Sequence, residues 1–283
     1  MHQIEANGTS IAFERSGKGP PLLLLHGAEA DHSMFDAFAP LLAPHFTVIA
    51  YDQRDSGATR NPPSAYGLEE LADDAAALIA AFGFERAHVF GTSLGGVIAQ
   101  VLAARHPARI DRLVLSSAFR AGAALMSINP DGFPNFVALR SRLPESVAEF
   151  AEYFFPRAYI AAHPEVLAIF TGNTRDAEQR QRRGAVLARP VQVDLGAIPV
   201  PTLVLAGGED RLIPPAHTLS LAREIAGAQS TTIEGVGHVG TIQDPAAVAA
   251  EVKAFLQGEL PKQRQITGEN DHGDPRGGSR HAL

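Results

Sequence analysis

The chain contains no cysteine. That absence removes disulfides, thiolate metal sites and a cysteine nucleophile together, and it agrees with a reducing compartment. Long apolar runs are also missing, since no stretch approaches the roughly 20 residues needed to cross a bilayer. Met1 to Gly19 has no basic start followed by an apolar core, so it does not read as a signal peptide. We therefore expect a cytoplasmic protein with no membrane partner. Positive charge is scarce, with 24 Lys and Arg against 31 Asp and Glu and a net charge of -7. Phosphate binding needs clustered cations, so nucleic acid is not an expected partner. There is no GxxxxGK[ST] loop, no H-E-x-x-H, and no G-x-G-x-x-G after the first strand. No cofactor and no metal are expected.

What remains is an ordinary globular composition: 283 residues, 45% hydrophobic and 19% charged. That length suits one large α/β domain with an insertion, or two small domains. Ile4 to Ala6 and Ile11 to Arg15 flank Asn7-Gly8, a strong hairpin signal. The run "PPLLLLHG" is apolar at four successive positions, as a strand covered on both faces would be. Phe46 to Asp52, Ala87 to Gly91, Arg112 to Ser117, Pro201 to Gly207 and Ser230 to Gly235 repeat that character. Helices alternate with them. Leu68, Leu71, Ala75, Leu78, Ile79 and Phe82 fall at helical spacing before Gly83. A second helix runs from about Leu94 to His106, before Pro107, and a third has Asp244 as N-cap, Pro245 first and Gly258 as stop. The alternation predicts a mostly parallel eight-stranded sheet with helices on both faces.

One region breaks the pattern. Residues 119–198 offer helical pieces rich in Phe and Tyr but no strand, and nearly 80 residues is too long for a loop. The expected division is a core of residues 1–118 and 199–257, an inserted helical cap over 119–198, and a disordered tail over 258–283.

Within the core, His88 to Gln100 reads HVFGTSLGGVIAQ and sets one serine between glycines where a strand becomes a helix. Gly and Ser are common turn residues, so chance is the bland reading. The chemical reading is a nucleophile. A serine hydroxyl needs a nearby base, the base needs an orienting group, and the reaction needs donors for a developing oxyanion. Gly91 and Gly95 permit a cramped turn that lifts Ser93 above the sheet, with the free N–H groups of the next helix aimed at it.

Supporting motifs follow one order: His26-Gly27, then "YDQRDSG", Gly91-Thr92-Ser93-Leu94-Gly95, Gly207-Gly208-Glu209-Asp210 and Gly237-His238. On these motifs the chain resembles an α/β hydrolase with a helical cap, over roughly residues 4 to 257. The resemblance implies Ser93 as nucleophile, Asp210 as acid and His238 as base, with the amides of Ala28 and Leu94 as oxyanion donors. Glu209 is the nearest rival to Asp210. Some relatives carry the acid after the sixth strand, where this chain has Ser116-Ser117. His45, His106 and His217 lie beside prolines or at helix ends and read as structural.

Other residues keep two readings. Glu29, Asp31 and His32 either rim the cleft or belong to a solvated loop. His32 and Arg120 are candidate substrate contacts, Arg120 for a carboxylate; a surface salt bridge is its alternative. Phe133, Phe136, Phe150, Tyr153, Phe154, Phe155 and Tyr159 either line an apolar acyl pocket or fill the cap. In "DQRDSGAT" the commoner family pattern has Gly where Asp55 stands, and Asp52 and Arg54 read as loop-stabilising.

The expected activity is hydrolysis of a small carboxylic ester or lactone through an acyl-enzyme, by a monomer or homodimer. Carbon–carbon cleavage of a diketone-like compound and cofactor-free perhydrolysis are alternatives on the same fold. "HGAEADH" lacks the glycine- and proline-rich turn associated with the carbon–carbon enzymes. A non-catalytic ligand receptor is the alternative of another class.

Overall fold

The computed structural model describes residues 1–172, 175–189 and 191–258, so the expected tail beyond Gly258 lies outside the described residues. Eight strands form one open sheet: β1 (His2–Ala6), β2 (Thr9–Ser16), β3 (Pro21–Leu25), β4 (Thr47–Tyr51), β5 (Ala87–Thr92), β6 (Ile110–Ser116), β7 (Thr202–Gly207) and β8 (Gln229–Ile233). Their spatial order is β1-β2-β4-β3-β5-β6-β7-β8. β2 pairs antiparallel with β1 and with β4, and every other pairing is parallel. The Asn7-Gly8 turn has both residues at positive φ (48° and 68°), the twist a two-residue hairpin needs.

The apolar runs explain the layering, because successive side chains of a strand face opposite ways. Leu23, Leu25, Ile49, Tyr51, Val89, Leu113 and Leu115 pack on one face. There they meet α1 (Leu68–Ala81), α2 (Leu94–Arg105) and, in the same cluster, residues of the 119–198 segment. Leu22, Leu24, Val48, Ala50, Phe90, Val114, Leu203 and Leu205 face the other side, against Phe35, Phe38 and Leu42. Helix Pro245–Leu256 covers the same side through Val248, Val252, Phe255 and Leu256. Each fully buried leucine contributes about 2 kcal/mol of transfer energy, so a polar residue anywhere in Leu22–Leu25 is not tolerated.

The helix ends are set locally. Glu70 accepts a hydrogen bond from the Gly67 amide at 2.7 Å at the start of α1. Asp244 caps helix 245–256 by accepting from Ala247 N at 2.9 Å.

Between β6 and β7 the described residues hold helices and no strand. The pieces include Leu125–Ile128, Phe133–Arg140, Val147–Ala151, Arg157–Ala162, the 3-10 turns Pro164–Phe170, Val186–Ala188 and Leu195–Ala197, and α3 (Ala177–Ala185). Of the seven aromatic residues with two readings, Phe136, Phe150, Tyr153, Phe154 and Phe155 are buried in the main cluster, and Phe133 and Tyr159 are half-buried. Ring centroids lie 4.9 Å apart for Phe136–Phe150, 5.3 Å for Phe150–Phe154 and 4.8 Å for Phe154–Phe170. They pack together within the 119–198 segment and against the sheet; Phe154 alone among these rings also touches the candidate base.

Candidate active site

The parallel strands end along one edge of the sheet, where an open α/β sheet ordinarily binds its ligand. Ser93 follows β5 directly at φ 53°, ψ -122°. That backbone costs about 1–3 kcal/mol for a residue with a side chain. It is held by Ser93 N donating to Ser116 O at 3.0 Å, and by Gly96 N and Val97 N donating to Ser93 O at 2.9 and 3.2 Å. Gly95 is required there: a Cβ on it would overlap the carbonyl oxygen of Leu25. The serine is half-buried at the first turn of α2.

Asp210 lies on the turn after β7 and His238 on the turn after β8. His238 Nδ1 is 2.8 Å from Asp210 Oδ2, and both side chains are buried. The other carboxylate oxygen, Oδ1, accepts from the Leu212 and Ile213 amides at 3.0 and 2.9 Å. With Nδ1 as the donor to Asp210, Nε2 is the acceptor nitrogen, and it has no partner among the described residues. Ser93 and His238 are therefore not hydrogen-bonded here, a common state before substrate closes the gap. The imidazole is steadied from the 119–198 segment. The His238 amide donates to Phe154 O at 2.8 Å, and the Phe154 ring meets the imidazole edge-on at 5.7 Å. Gly237 permits this approach, because a Cβ would run into that same carbonyl.

The loop after β3 is organised by His26, which is fully buried. Its Nε2 accepts from Gln53 N at 3.1 Å and its Nδ1 donates to Gly27 O at 2.8 Å, which assigns the neutral Nδ1–H tautomer. Burial, with the Arg183 charge nearby, holds His26 well below the ordinary histidine range. The loop comes close to the serine: a Cβ on Gly27 would stand 3.6 Å from Ser93 Cβ. Among the described residues the Ala28 amide donates no hydrogen bond. Leu94, first in α2, has no intrahelical acceptor for its own amide.

The two candidate substrate contacts are occupied elsewhere. Arg120 is exposed, pairs with Glu224 and donates to Val193 O at 3.3 Å. It is the surface ion pair, because its loop turns outward toward helix Pro215–Glu224. His32 Nδ1 and His32 N contact Asp52 Oδ1 at 2.7 and 2.8 Å. Asp52 Oδ2 accepts from Ala58 N at 2.7 Å, and Arg54 is bidentate on Asp74 at 2.6 and 2.7 Å, so Asp52 and Arg54 hold loops. Ligating atoms of Asp31, His32 and Asp52 lie within 4.8 Å of one another. They are spent on these bonds and on the Ser33 cap made by Asp31.

A cavity of about 730 Å³ opens beside Asp210 between Pro156–Tyr159 and Gly208–Arg211. Its walls include neither Ser93 nor His238, so it does not enclose the bond to be cleaved.

Sequence reasoning missed a set of arginines from the 119–198 segment that grip the loops after β3 and β4. Arg182 holds both oxygens of Asp55 at 2.9 Å, Arg140 pairs with Glu29, and Arg175 donates to Asp55 O at 2.6 Å. Arg183 donates to Gln53 Oε1 at 2.5 Å. The run "QRQRR" (179–183) was a visible signal for Arg182 and Arg183 only. Asp55 is itself explained by this grip. It has φ 54°, where the commoner glycine is free of strain, yet its carboxylate anchors Arg182. Burial pushes the Asp55 carboxyl up, but the bonds from Arg182 outweigh it and hold it below the usual range.

The family model described as the alpha/beta hydrolase fold matches residues 20–245. The chain is 32% identical to 2-hydroxymuconate semialdehyde hydrolase of Pseudomonas sp. strain CF600 over 271 residues, 90% of this chain and 93% of that one. An enol-lactonase from Burkholderia xenovorans LB400 superposes with a TM-score of 0.77 at 27% identity, covering 90% of this chain and all of that one (100%). A thermophilic esterase from Thermogutta terrifontis superposes with the same score, 0.77, at 27% identity, covering 91% and 99%.

Proposed function

The chain belongs to the alpha/beta hydrolase fold family, and from that premise we propose that it is a serine hydrolase of a small carboxylic ester or lactone. Ser93 Oγ attacks the carbonyl carbon while His238 Nε2 takes its proton. The resulting imidazolium keeps its Nδ1–H on Asp210, whose second oxygen is already pinned by two amides. The Ala28 and Leu94 amides receive the oxyanion. His238 then protonates the leaving alcohol, and water, deprotonated by the same imidazole, releases the acid from Ser93.

One observation carries the reading. His238 is clamped on Asp210 through Nδ1 and keeps a buried Nε2, unpartnered among the described residues, at the edge of the sheet where Ser93 sits in a strained turn. Fold alone does not argue function, and this constellation does. The likeness to a lactonase and an esterase supports the bond type.

The test is hydrolysis of p-nitrophenyl acetate and of a small lactone by the wild type and by Ser93→Ala. Multiple turnover blocked by a sulfonyl fluoride, and a drop of about a thousandfold or more in Ser93→Ala, is the expected result. Near-normal turnover by Ser93→Ala overturns the assignment. The 32% identity to 2-hydroxymuconate semialdehyde hydrolase favours carbon–carbon cleavage as a second reading. A vinylogous diketone hydrolysed faster than every ester and lactone would select it.

A further inference from the structure

The loop after β3 carries the proposed Ala28 oxyanion donor, yet its own backbone does not set its shape. The turn at Ala28–Glu29 has no main-chain hydrogen bond of ordinary length and angle across it, and residues 27–30 make none to any other described main chain. Side chains hold its carbonyls instead. His26 O accepts from Gln53 Nε2 at 2.9 Å. Gly27 O accepts from His26 Nδ1 at 2.8 Å and from Arg183 Nη2 at 3.5 Å. Ala28 O accepts from Arg183 Nε at 3.3 Å, and Ala30 O from Arg175 Nη2 at 3.0 Å. A loop without a ladder of its own takes the conformation that such donors impose, and here two of them come from the 119–198 segment.

The peptide unit between Gly27 and Ala28 has the central place. A trans peptide is planar, with its N–H and C=O pointing opposite ways. Holding Gly27 O therefore fixes the direction of the Ala28 N–H, which donates to nothing among the described residues. The same unit stands beside the nucleophile, since a Cβ on Gly27 would lie 3.6 Å from Ser93 Cβ. Arg183 reaches the carbonyls on both sides of the Ala28 Cα, so one guanidinium restrains both peptide planes. It is 6% exposed and is itself well held: Nη2 donates to Gln53 Oε1 at 2.5 Å, and the Tyr66 side chain and the Glu29 charge favour its charged form. A cation at the carbonyl end of a peptide also polarises the N–H into a stronger donor. We propose that Arg183 is a positioning residue, which holds the Gly27–Ala28 peptide so that the Ala28 N–H faces the oxyanion formed at Ser93. This rests on the serine-hydrolase reading. Docking of α3 then completes the site rather than merely covering it. Arg182 supplies the contrast, because it docks the same helix through Asp55 and makes no hydrogen bond to residues 26–30 among the described residues.

The experiment measures p-nitrophenyl acetate hydrolysis by wild type, Arg183→Met, Arg183→Lys and Arg182→Ala. Arg183→Met should lose about thirtyfold or more in kcat/KM, below the roughly 100- to 1000-fold that deleting an oxyanion donor outright costs. The loss should fall equally on kcat, because the oxyanion forms only on the way to the transition state. Arg183→Lys restores a charged donor and should recover part of it, while Arg182→Ala should stay close to wild type. A loss shared by Arg182→Ala would make helix docking the cause and overturn the proposal, as would a loss confined to KM. The second readout is the Ala28 amide resonance in protein with isotope-labelled alanine, assigned by its disappearance in Ala28→Gly. Capping Ser93 with phenylmethanesulfonyl fluoride should move it downfield in wild type and Arg182→Ala, as the N–H gains a sulfonyl oxygen, and by much less in the Arg183 variants. If Arg183→Met does not fold, Arg183→Lys decides alone through kcat and this displacement. A sulfonylated wild type whose Ala28 resonance stays put, or an equal displacement in every variant, overturns the positioning role and leaves the serine-hydrolase reading intact. Failure of that reading shows separately, as turnover that survives Ser93→Ala and a Ser93 that takes no sulfonyl group.

Discussion

The sheet and the segment inserted after β6 are held by different forces. The sheet is a stack of apolar layers in which the candidate serine, acid and base hang from backbone turns. The aromatic rings of the inserted segment join the core on one face of the sheet, but the segment meets the β3 and β4 loops through arginines: Arg140, Arg175, Arg182 and Arg183. Layers of leucine are indifferent to the ligand, whereas a charged seam responds to an anion, to salt and to pH. The proposed chemistry therefore hangs from the apolar sheet.

The comparison breaks most visibly at the reacting atoms. Replacing His238 with Gln should lower turnover by about a thousandfold or more while the melting temperature stays near that of the wild type. A comparable loss of stability would mean that His238 is chiefly a packing residue between Phe154 and the sheet. Next in size is Gly95→Ala. Its Cβ has no room against Leu25, so we expect a loss of about 3 kcal/mol or more in urea unfolding, from the core alone. An accommodated alanine would show that the turn is looser than its contacts imply.

The seam should give smaller effects. Asp55→Ala and Arg182→Ala each remove one side of a bidentate pair whose Asp55 is 2% exposed. A double-mutant cycle should return a coupling of about 1–2 kcal/mol. Asp55→Gly should cost less than Asp55→Ala, because glycine relieves the left-handed backbone at φ 54°. Additive single effects would mean the pair is ornamental.

The smallest effect is that of acid. Asp55 titrates lower in the folded chain than in the unfolded one. Its contribution is present above the unfolded carboxylate pKa and is lost as pH falls through the folded value, a window below about pH 4. Hydrogen exchange in residues 177–185 should speed up there before the sheet responds, and Asp55→Asn should remove that pH dependence. Sheet and segment loosening together would erase the distinction between them.

Much of this was legible in the chain. Four consecutive leucines can only be covered on both faces, and Leu22–Leu25 divide between the two cores as that argument requires. The serine turn was readable because its glycines obey a local steric rule, and Asp244 because capping is local. Arg120 and Arg183 show where reading stopped. Both are arginines of the inserted segment with carboxylates somewhere within reach, and Arg120 stands nearer the sixth strand in sequence. One ended in a surface pair with Glu224, the other buried against Ala28, 155 positions away. Nothing local distinguishes them.

The sequence by itself determined the order of strands and helices, the two-faced burial of the sheet and the sharp turn at Ser93. These follow from spacing and sterics within a few residues. Only the tertiary structure decided which arginine is buried against the loop after β3, which histidine tautomer organises that loop, and that the aromatic residues of the 119–198 segment pack into the cluster shared with the sheet. Those outcomes depend on pairs brought together from distant parts of the chain, where the cost of burying a charge or a ring is set by whatever lies across the gap.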